Sequence, residues 1–462
     1  MNKEKEQDST DYSVKVDDFG KDFVWGVSTA AYQIEGAFEN SDKGASIWDT
    51  FSSNKKNIYQ GDNGSIACDF FNTYKEDILL MKSLHIPNFR FSLSWSRIIP
   101  LGQGDVSENG LAFYNNVIDF CLECGITPWI TLYHWDLPQA LENKGGWTNR
   151  EIVTWFEAYA TVCAKAFGDR VKHWMVMNEP MVFTGAGYFL GVHAPGRKGL
   201  KNFVPSVHHA LLAQARGGKT LKLLVKNGII GTTFSCSYCT PFKNTEKHIL
   251  ATKRVDALLN RMFIEPSLGL GYPTEEIPAL KKIKKYQYPE DAANIIFEFD
   301  FIGVQNYTRE VIKHSWFVPY LKAKIINARK RNVKTTLMDW EVYPKSMYQM
   351  IKKFNKYKGV NKILITENGA AFKDTFQNNS VNDTDRINYI KSYIREVYQA
   401  KKEGLKVGGY FIWTFTDNFE WAEGYYPRFG LVHVDFKTQK RTIKNSGLWY
   451  SKFLKSNETI LF

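Results

Sequence analysis

The chain has 462 residues, 60 Lys and Arg against 48 Asp and Glu, and a formal net charge of +12. With 44% hydrophobic and 15% aromatic residues it has ample material for a large core, which excludes a disordered or low-complexity protein. The basic blocks KKIKK (281–285) and KAKIINARKRNVK (322–334) sit in no nucleic-acid motif and read as solvated faces, so neither nucleic acid nor a membrane is expected as a partner.

In chain order, the opening MNKEKEQDSTDYSVKVDDFG is polar and lacks the apolar run of a signal peptide. Residues 1–18 are expected to form a flexible polar arm, and 19–462 a single domain. No stretch approaches the roughly 18 apolar residues of a membrane span, so a soluble, cytoplasmic protein is expected. Short apolar, strand-like runs then recur at 23–30, 88–95, 127–135, 173–180, 229–237, 300–307, 363–369 and 408–415. Helical periodicity fills many gaps, as in FFNTYKEDILLMKSLH (70–85) and REIVTWFEAYATVCAKAFG (150–168).

Strands alternating with helices imply right-handed βαβ units and a parallel sheet. Eight units in one uninterrupted chain predict an α/β fold, a single (β/α)8 TIM barrel with elaborated βα loops. An open doubly wound sheet would usually show a glycine-rich nucleotide fingerprint after its first strand, and none is present. Two C-x-x-C pairs, Cys121/Cys124 and Cys236/Cys239, superficially resemble zinc ligands. The first closes a helical pattern, and the second lies in a strand, where positions i and i+3 point to opposite faces. Structural thiols are expected, with no metal and no cofactor.

Catalytic groups in such barrels gather at the C-terminal ends of the strands. The first run leads into Gln33, the third ends on His134 and Trp135, and the fourth on Asn178 and Glu179. The sixth ends on Asn306 and Tyr307, the seventh on Glu367, and the eighth is followed by Asn418, Glu420 and Trp421. One glutamate at a strand end reads as a surface ion pair. Two carboxylates flanking a pocket rich in Trp, Asn, Gln and His instead suit glycoside hydrolysis.

Ten segments in order carry a resemblance over nearly the whole chain. They are FVWGVSTAAYQIEGA, FRFSLSWSRIIP, ITLYHWDLPQAL, NEP, GYFLGVHAPG, HHALLAQARG, MDWEVYP, ITENG, WTFTDNFEWAEGYYPRFGLVHVDF and SGLWY. The chain resembles the retaining β-glycosidases of glycoside hydrolase family 1, the β-glucosidase family. That resemblance implies a double displacement through a covalent glycosyl-enzyme, with Glu367 as nucleophile and Glu179 as acid/base. The charge of Glu367 is expected to raise the pKa of Glu179.

The resemblance also implies that Arg90 and Tyr307 orient the nucleophile and that Asn178 binds the 2-hydroxyl. Gln33, His134 and Glu420 would bind other sugar hydroxyls, with Trp413 as the stacking floor and Trp135, Trp421 and Phe429 beside the sugar. Trp340 would serve as the aglycone platform. The implied ligand is a small-molecule β-glycoside or short oligosaccharide. The chain departs from the common pattern at Val176, where many relatives have Thr, and at Gln305-Asn306. Alternatives are a 6-phospho-β-glycosidase, which a carboxylate at Glu420 disfavours by repulsion, a non-catalytic glycan-binding relative, and transfer to an acceptor other than water.

Overall fold

The computed structural model describes residues 13–38, 42–377, 380–456 and 459–460. Eight strands occupy the predicted apolar runs: β1 (Val24–Ser28), β2 (Asn88–Ser92), β3 (Thr127–Tyr133), β4 (His173–Asn178), β5 (Ile229–Ser235), β6 (Phe301–Gln305), β7 (Ile363–Asn368) and β8 (Val407–Trp413). They form a closed barrel in the order β1-β8-β7-β6-β5-β4-β3-β2, with every neighbouring pair parallel. The expected (β/α)8 barrel is borne out. Its helical layer includes α1 (Phe70–Ser83), α2 (Glu108–Glu123), α3 (Ile152–Phe167), α4 (Leu200–Leu224), α5 (Glu246–Asp256), α6 (Lys345–Phe354), α7 (Thr384–Lys402) and α8 (Asn445–Leu454).

Alternation along each strand divides side chains between the barrel interior and the helical layer. Trp129, Met175, Phe301, Leu364 and Phe411, from five different strands, meet as one buried apolar cluster that plugs the lower interior. Gly26 on β1 makes room for it, since a Cβ there would stand 2.6 Å from the Phe411 ring. Outside the barrel, apolar faces of the helices join the large surrounding core.

The end of the expected amino-terminal arm is docked on the body. Val14 forms an antiparallel bridge with Ile460 and is fully buried, and Val16–Phe19 form a helical turn. Phe19 packs on Phe23 and Trp25, with ring centroids 4.7 and 4.9 Å away. Apolar residues spaced among the charges thus dock residues 14–19 onto the body. The rest of the predicted arm, residues 1–12, lies outside the described residues.

Two features at the mouth matter for the site. The chain after β5 and β6 contributes a three-stranded sheet of Tyr238–Pro241, Arg309–His314 and Ala323–Ile325. The loops after β1 and β8 cover the opposite side, because β1 and β5 face each other across the ring. The basic run 281–285 lies on a short helix, with its four lysines exposed and Ile283 buried. Among the described residues, no helix is long and apolar enough to cross a membrane.

Candidate active site

The mouth holds a cavity of about 300 Å³. Among the predicted site residues, His134, Trp135, Glu179, Tyr307, Trp340, Glu367, Trp413, Glu420, Trp421 and Phe429 line it. Arg90, Asn178 and Gln33 are fully buried just behind that lining, where each holds residues that do reach the cavity.

β7 delivers Glu367 through a bulge after Ile365, which pairs it with the inward Gln305 although Ile363 and Ile365 face the helical layer, and two partners fix its carboxylate. Arg90 Nη1 donates to Oε1 at 2.5 Å, and the Tyr307 hydroxyl donates to Oε2 at 2.8 Å. Arg90 is itself immobilised: Nη2 donates to Asn178 Oδ1 at 2.6 Å, and Nε donates to Thr131 Oγ1 at 3.1 Å and the Met175 sulfur at 2.9 Å. Such a charge-assisted fork orients the carboxylate as well as neutralising it.

Glu179 is presented differently. It follows β4 directly, caps the short helix Pro180–Gly185, and adopts a left-handed backbone with φ 45°. Non-glycine residues enter that region at a cost, and functional sites are where such strain concentrates. Trp135 and Trp421 share this feature, at φ 79° and 51°. The Glu179 side chain makes no hydrogen bond to another described residue, so its carboxyl is left to the cavity.

Those surroundings separate the two carboxyls electrostatically. Burial pushes both above the usual range. For Glu367 the Arg90 charge and hydrogen bonds from Arg90, Tyr307 and Gln305 oppose the rise. Glu179 has only the more distant Arg90 charge in its favour, and Glu367 and Glu420 push it further up. Glu179 therefore holds its proton while Glu367 gives one up. The sequence attributes this rise to Glu367; in the folded chain burial is the larger cause and Glu367 the second.

Toward the loops after β1 and β8, Gln33 Nε2 donates to the Phe419 carbonyl at 2.8 Å, to Asn418 Oδ1 at 3.2 Å and to Glu420 Oε2 at 3.4 Å. Its Oε1 is buried without a partner, an acceptor available to a ligand donor. Burial and the Glu367 charge push Glu420 up to about 8 against hydrogen bonds from Trp413 and Gln33. His134 is held neutral, its pKa lowered by burial first and by Arg90 second. The rings of Trp135 and Trp421 lie 4.6 Å apart, and the His134 ring is 5.8 Å from Trp421.

Asn178 is more heavily used than a simple ligand. Its Oδ1 accepts from Arg90, from Thr233 Oγ1 at 2.9 Å and from Gln305 Nε2 at 2.9 Å. Its amide pairs with His134 Nε2 at 2.9 Å, and one amide hydrogen remains for a ligand. Gln305 therefore stands in the site, lining the cavity and bonding to Asn178, although the sequence singled it out only as a departure. Asn306 is a scaffold residue: its Nδ2 donates to the carbonyls of Cys236 and Thr308, and its Oδ1 accepts from Ser346. Val176 faces the helical layer, where a Cβ on Gly217 of α4 would lie 3.1 Å from its Cγ1.

Further cavity residues had no signal at a strand end. They include Val182, His193, Ser237, Leu259, Glu310, Met338 and Glu423, from βα loops and accessory segments. Among the described residues, no group of three or more His, Cys, Asp or Glu side chains has a metal-ligand arrangement.

A family model described as Glycosyl hydrolase family 1 matches residues 15–459. β-Glucosidase A of Thermotoga maritima is 43% identical over 446 residues, covering 96% of this chain and 99% of that protein. A 1,4-β-D-glucan glucohydrolase of Thermotoga neapolitana is 42% identical, covering 95% and 98%. A solved family 1 β-glucosidase from Thermotoga maritima superposes with a TM-score of 0.90 at 42% identity, covering 95% of this chain and 98% of that one. The Thermotoga maritima enzyme in complex with deoxynojirimycin matches with the same score.

Proposed function

Because the chain belongs to glycosyl hydrolase family 1, we propose that it is a retaining β-glucosidase acting on terminal, unphosphorylated β-D-glucosides. One observation carries the reading. A carboxylate clamped by Arg90 and Tyr307 shares a cavity with a second carboxyl that has no side-chain partner among the described residues and a raised pKa. Two carboxyls of unlike environment are what acid and nucleophile roles require.

In this reading Glu367 attacks the anomeric carbon while Glu179 protonates the departing glycosidic oxygen. The proton passes to the leaving group, and the C–O bond to the aglycone breaks as the bond to Glu367 forms. Glu179, now ionised, takes a proton from water, whose oxygen then displaces Glu367. Once Glu367 is esterified its negative charge no longer raises Glu179, so one residue serves as acid and then as base. Gln33, His134, Asn178 and Glu420 supply hydrogen bonds for the sugar hydroxyls, and Trp413 a flat apolar surface. The names of the relatives, β-glucosidase and 1,4-β-D-glucan glucohydrolase, support a gluco-configured glycone.

The test is the initial rate on aryl β-glycosides carrying gluco, galacto, fuco, manno and 6-phosphoglucose glycones. Turnover of unphosphorylated sugars, led by glucose and with the phosphorylated one inert, supports the reading. The glycosylation rate should also fall as pH rises through the elevated pKa of Glu179, because only the protonated acid assists departure. Turnover of the 6-phosphate alone would overturn the role of Glu420, and inertness across the panel would make the protein a glycan binder.

A further inference from the structure

Glu310 is a cavity carboxylate that takes no part in the double displacement. It lies on the accessory strand Arg309–His314 and lines the cavity beside Leu259, Met338 and Trp340. This wall comes from the chain after β5 and β6. Gln33 and Glu420 come from the loops after β1 and β8, on the other side of the ring. Glu310 thus lies across the cavity from Gln33 and Glu420.

Successive residues of the strand point to opposite faces. Arg309 turns away to Glu341, with Nε donating to Oε2 at 2.8 Å, and stacks on the Tyr343 ring at 3.9 Å. Ile312, on the Glu310 face, packs with Ala251 and Val255 of α5. No side-chain hydrogen bond or ion pair joins Glu310 to another described residue. The neighbouring Arg331 is held by Glu341, to which its Nη2 donates at 2.6 Å, while its buried Nε has no partner among the described residues. Burial pushes the Glu310 carboxyl up to about 7, with Arg331 opposing and Glu341 reinforcing the rise. A partly buried carboxylate without donors carries a desolvation cost that a ligand with hydroxyl groups would relieve.

Resting on the β-glucosidase reading, we propose that Glu310 recognises the hydroxyl groups of a sugar aglycone, making short β-linked oligosaccharides the preferred substrates over aryl or alkyl glycosides. A vicinal diol offers two O–H donors to the two carboxylate oxygens. Trp340, half-buried 5.1 Å from the Tyr307 ring, offers its face to the C–H surface of the same sugar. Anionic aglycones are repelled by Glu310 and by Glu423 on the same cavity.

The test compares kcat/KM on cellobiose and on 4-nitrophenyl β-D-glucoside for wild type, Glu310→Ala and Glu310→Gln. The two substrates share glycone and chemistry, so the ratio of their kcat/KM values isolates the aglycone. Loss of a charge-assisted hydrogen bond should lower the cellobiose-to-aryl ratio by about tenfold or more in the alanine variant, and by less in the glutamine variant. If the alanine variant fails to fold, the near-isosteric glutamine variant carries the comparison. An unchanged ratio in the folded variants, with the aryl glucoside still turned over, overturns the role of Glu310 alone. A wild-type enzyme inert on both substrates overturns this proposal together with the β-glucosidase reading beneath it.

Discussion

The two ends of the barrel interior are built by the same strands and do opposite work. At the lower end Trp129, Met175, Phe301, Leu364 and Phe411 fill the space with apolar volume and leave no charge to solvate. At the mouth the same alternation brings in Arg90 and Gln305, bulges in β4 and β7 turn Asn178 and Glu367 inward, and the loops add Glu179 and Glu420. The regions meet where Arg90 Nε donates to the Met175 sulfur. The plug is a place where folding lowers free energy through burial and dispersion. The mouth holds three buried carboxyls around one guanidinium, an arrangement that costs stability and separates pKa values.

That contrast can be broken most sharply at Glu179. Its folded-state pKa is raised above the unfolded value, so its cost to stability grows as pH rises from the ordinary carboxylate range toward the folded pKa. Within that window the unfolded chain ionises this group before the folded chain does. Glu179→Gln removes the cost, and the melting temperature at pH 7 should rise. The same change should lower kcat/KM on glycosides with poor leaving groups by about 10²–10⁴-fold, and less for activated aryl groups. A fall in melting temperature would mean that Glu179 is stabilised by its surroundings and would sink this account of its protonation.

The plug should give the reverse pattern. Phe411→Ala removes a fully buried ring that packs 5.3 Å from Trp129 and fills the space over Gly26. Denaturant unfolding should show a loss of about 3–5 kcal/mol, since the rigid barrel cannot collapse around the void. The folded fraction should keep its KM and its leaving-group dependence. Loss of activity well below the unfolding transition would show that the plug sets the geometry of the mouth, and the two ends would not be separable.

The parts legible in the sequence were those tied to strand periodicity. Glu179 and Glu367 stand out because an apolar run ends on a carboxylate, and the barrel expectation gives that position a meaning. Glu310 and Met338 come from accessory segments whose direction is set by tertiary packing, so no local pattern points them at the cavity. The amino-terminal segment misled for a related reason, since Val14 and Phe19 are sparse among charges and dock only because Ile460, Phe23 and Trp25 wait for them. Burial as the main cause of the Glu179 shift was likewise invisible, because desolvation is a property of the assembled walls.

Val176 supplies the smallest and most discriminating test. Two residues before Asn178, it stands where many relatives carry threonine, and proximity in sequence suggests an effect on sugar preference. The fold argues against one. Val176 is fully buried and points from β4 into the helical layer, against the region of α4 around Gly217. Val176→Thr exchanges a methyl for a hydroxyl in that layer, a swap that conserves volume but not polarity. Stability should fall by about 1–3 kcal/mol if the hydroxyl finds no acceptor there. The ranking of gluco, galacto and fuco glycones should stay as in wild type, because the inward face of β4 is unchanged. A reordered ranking would show that the outer face of β4 moves Asn178 through the backbone, and that the chemistry depends on the helical layer as well as on the mouth.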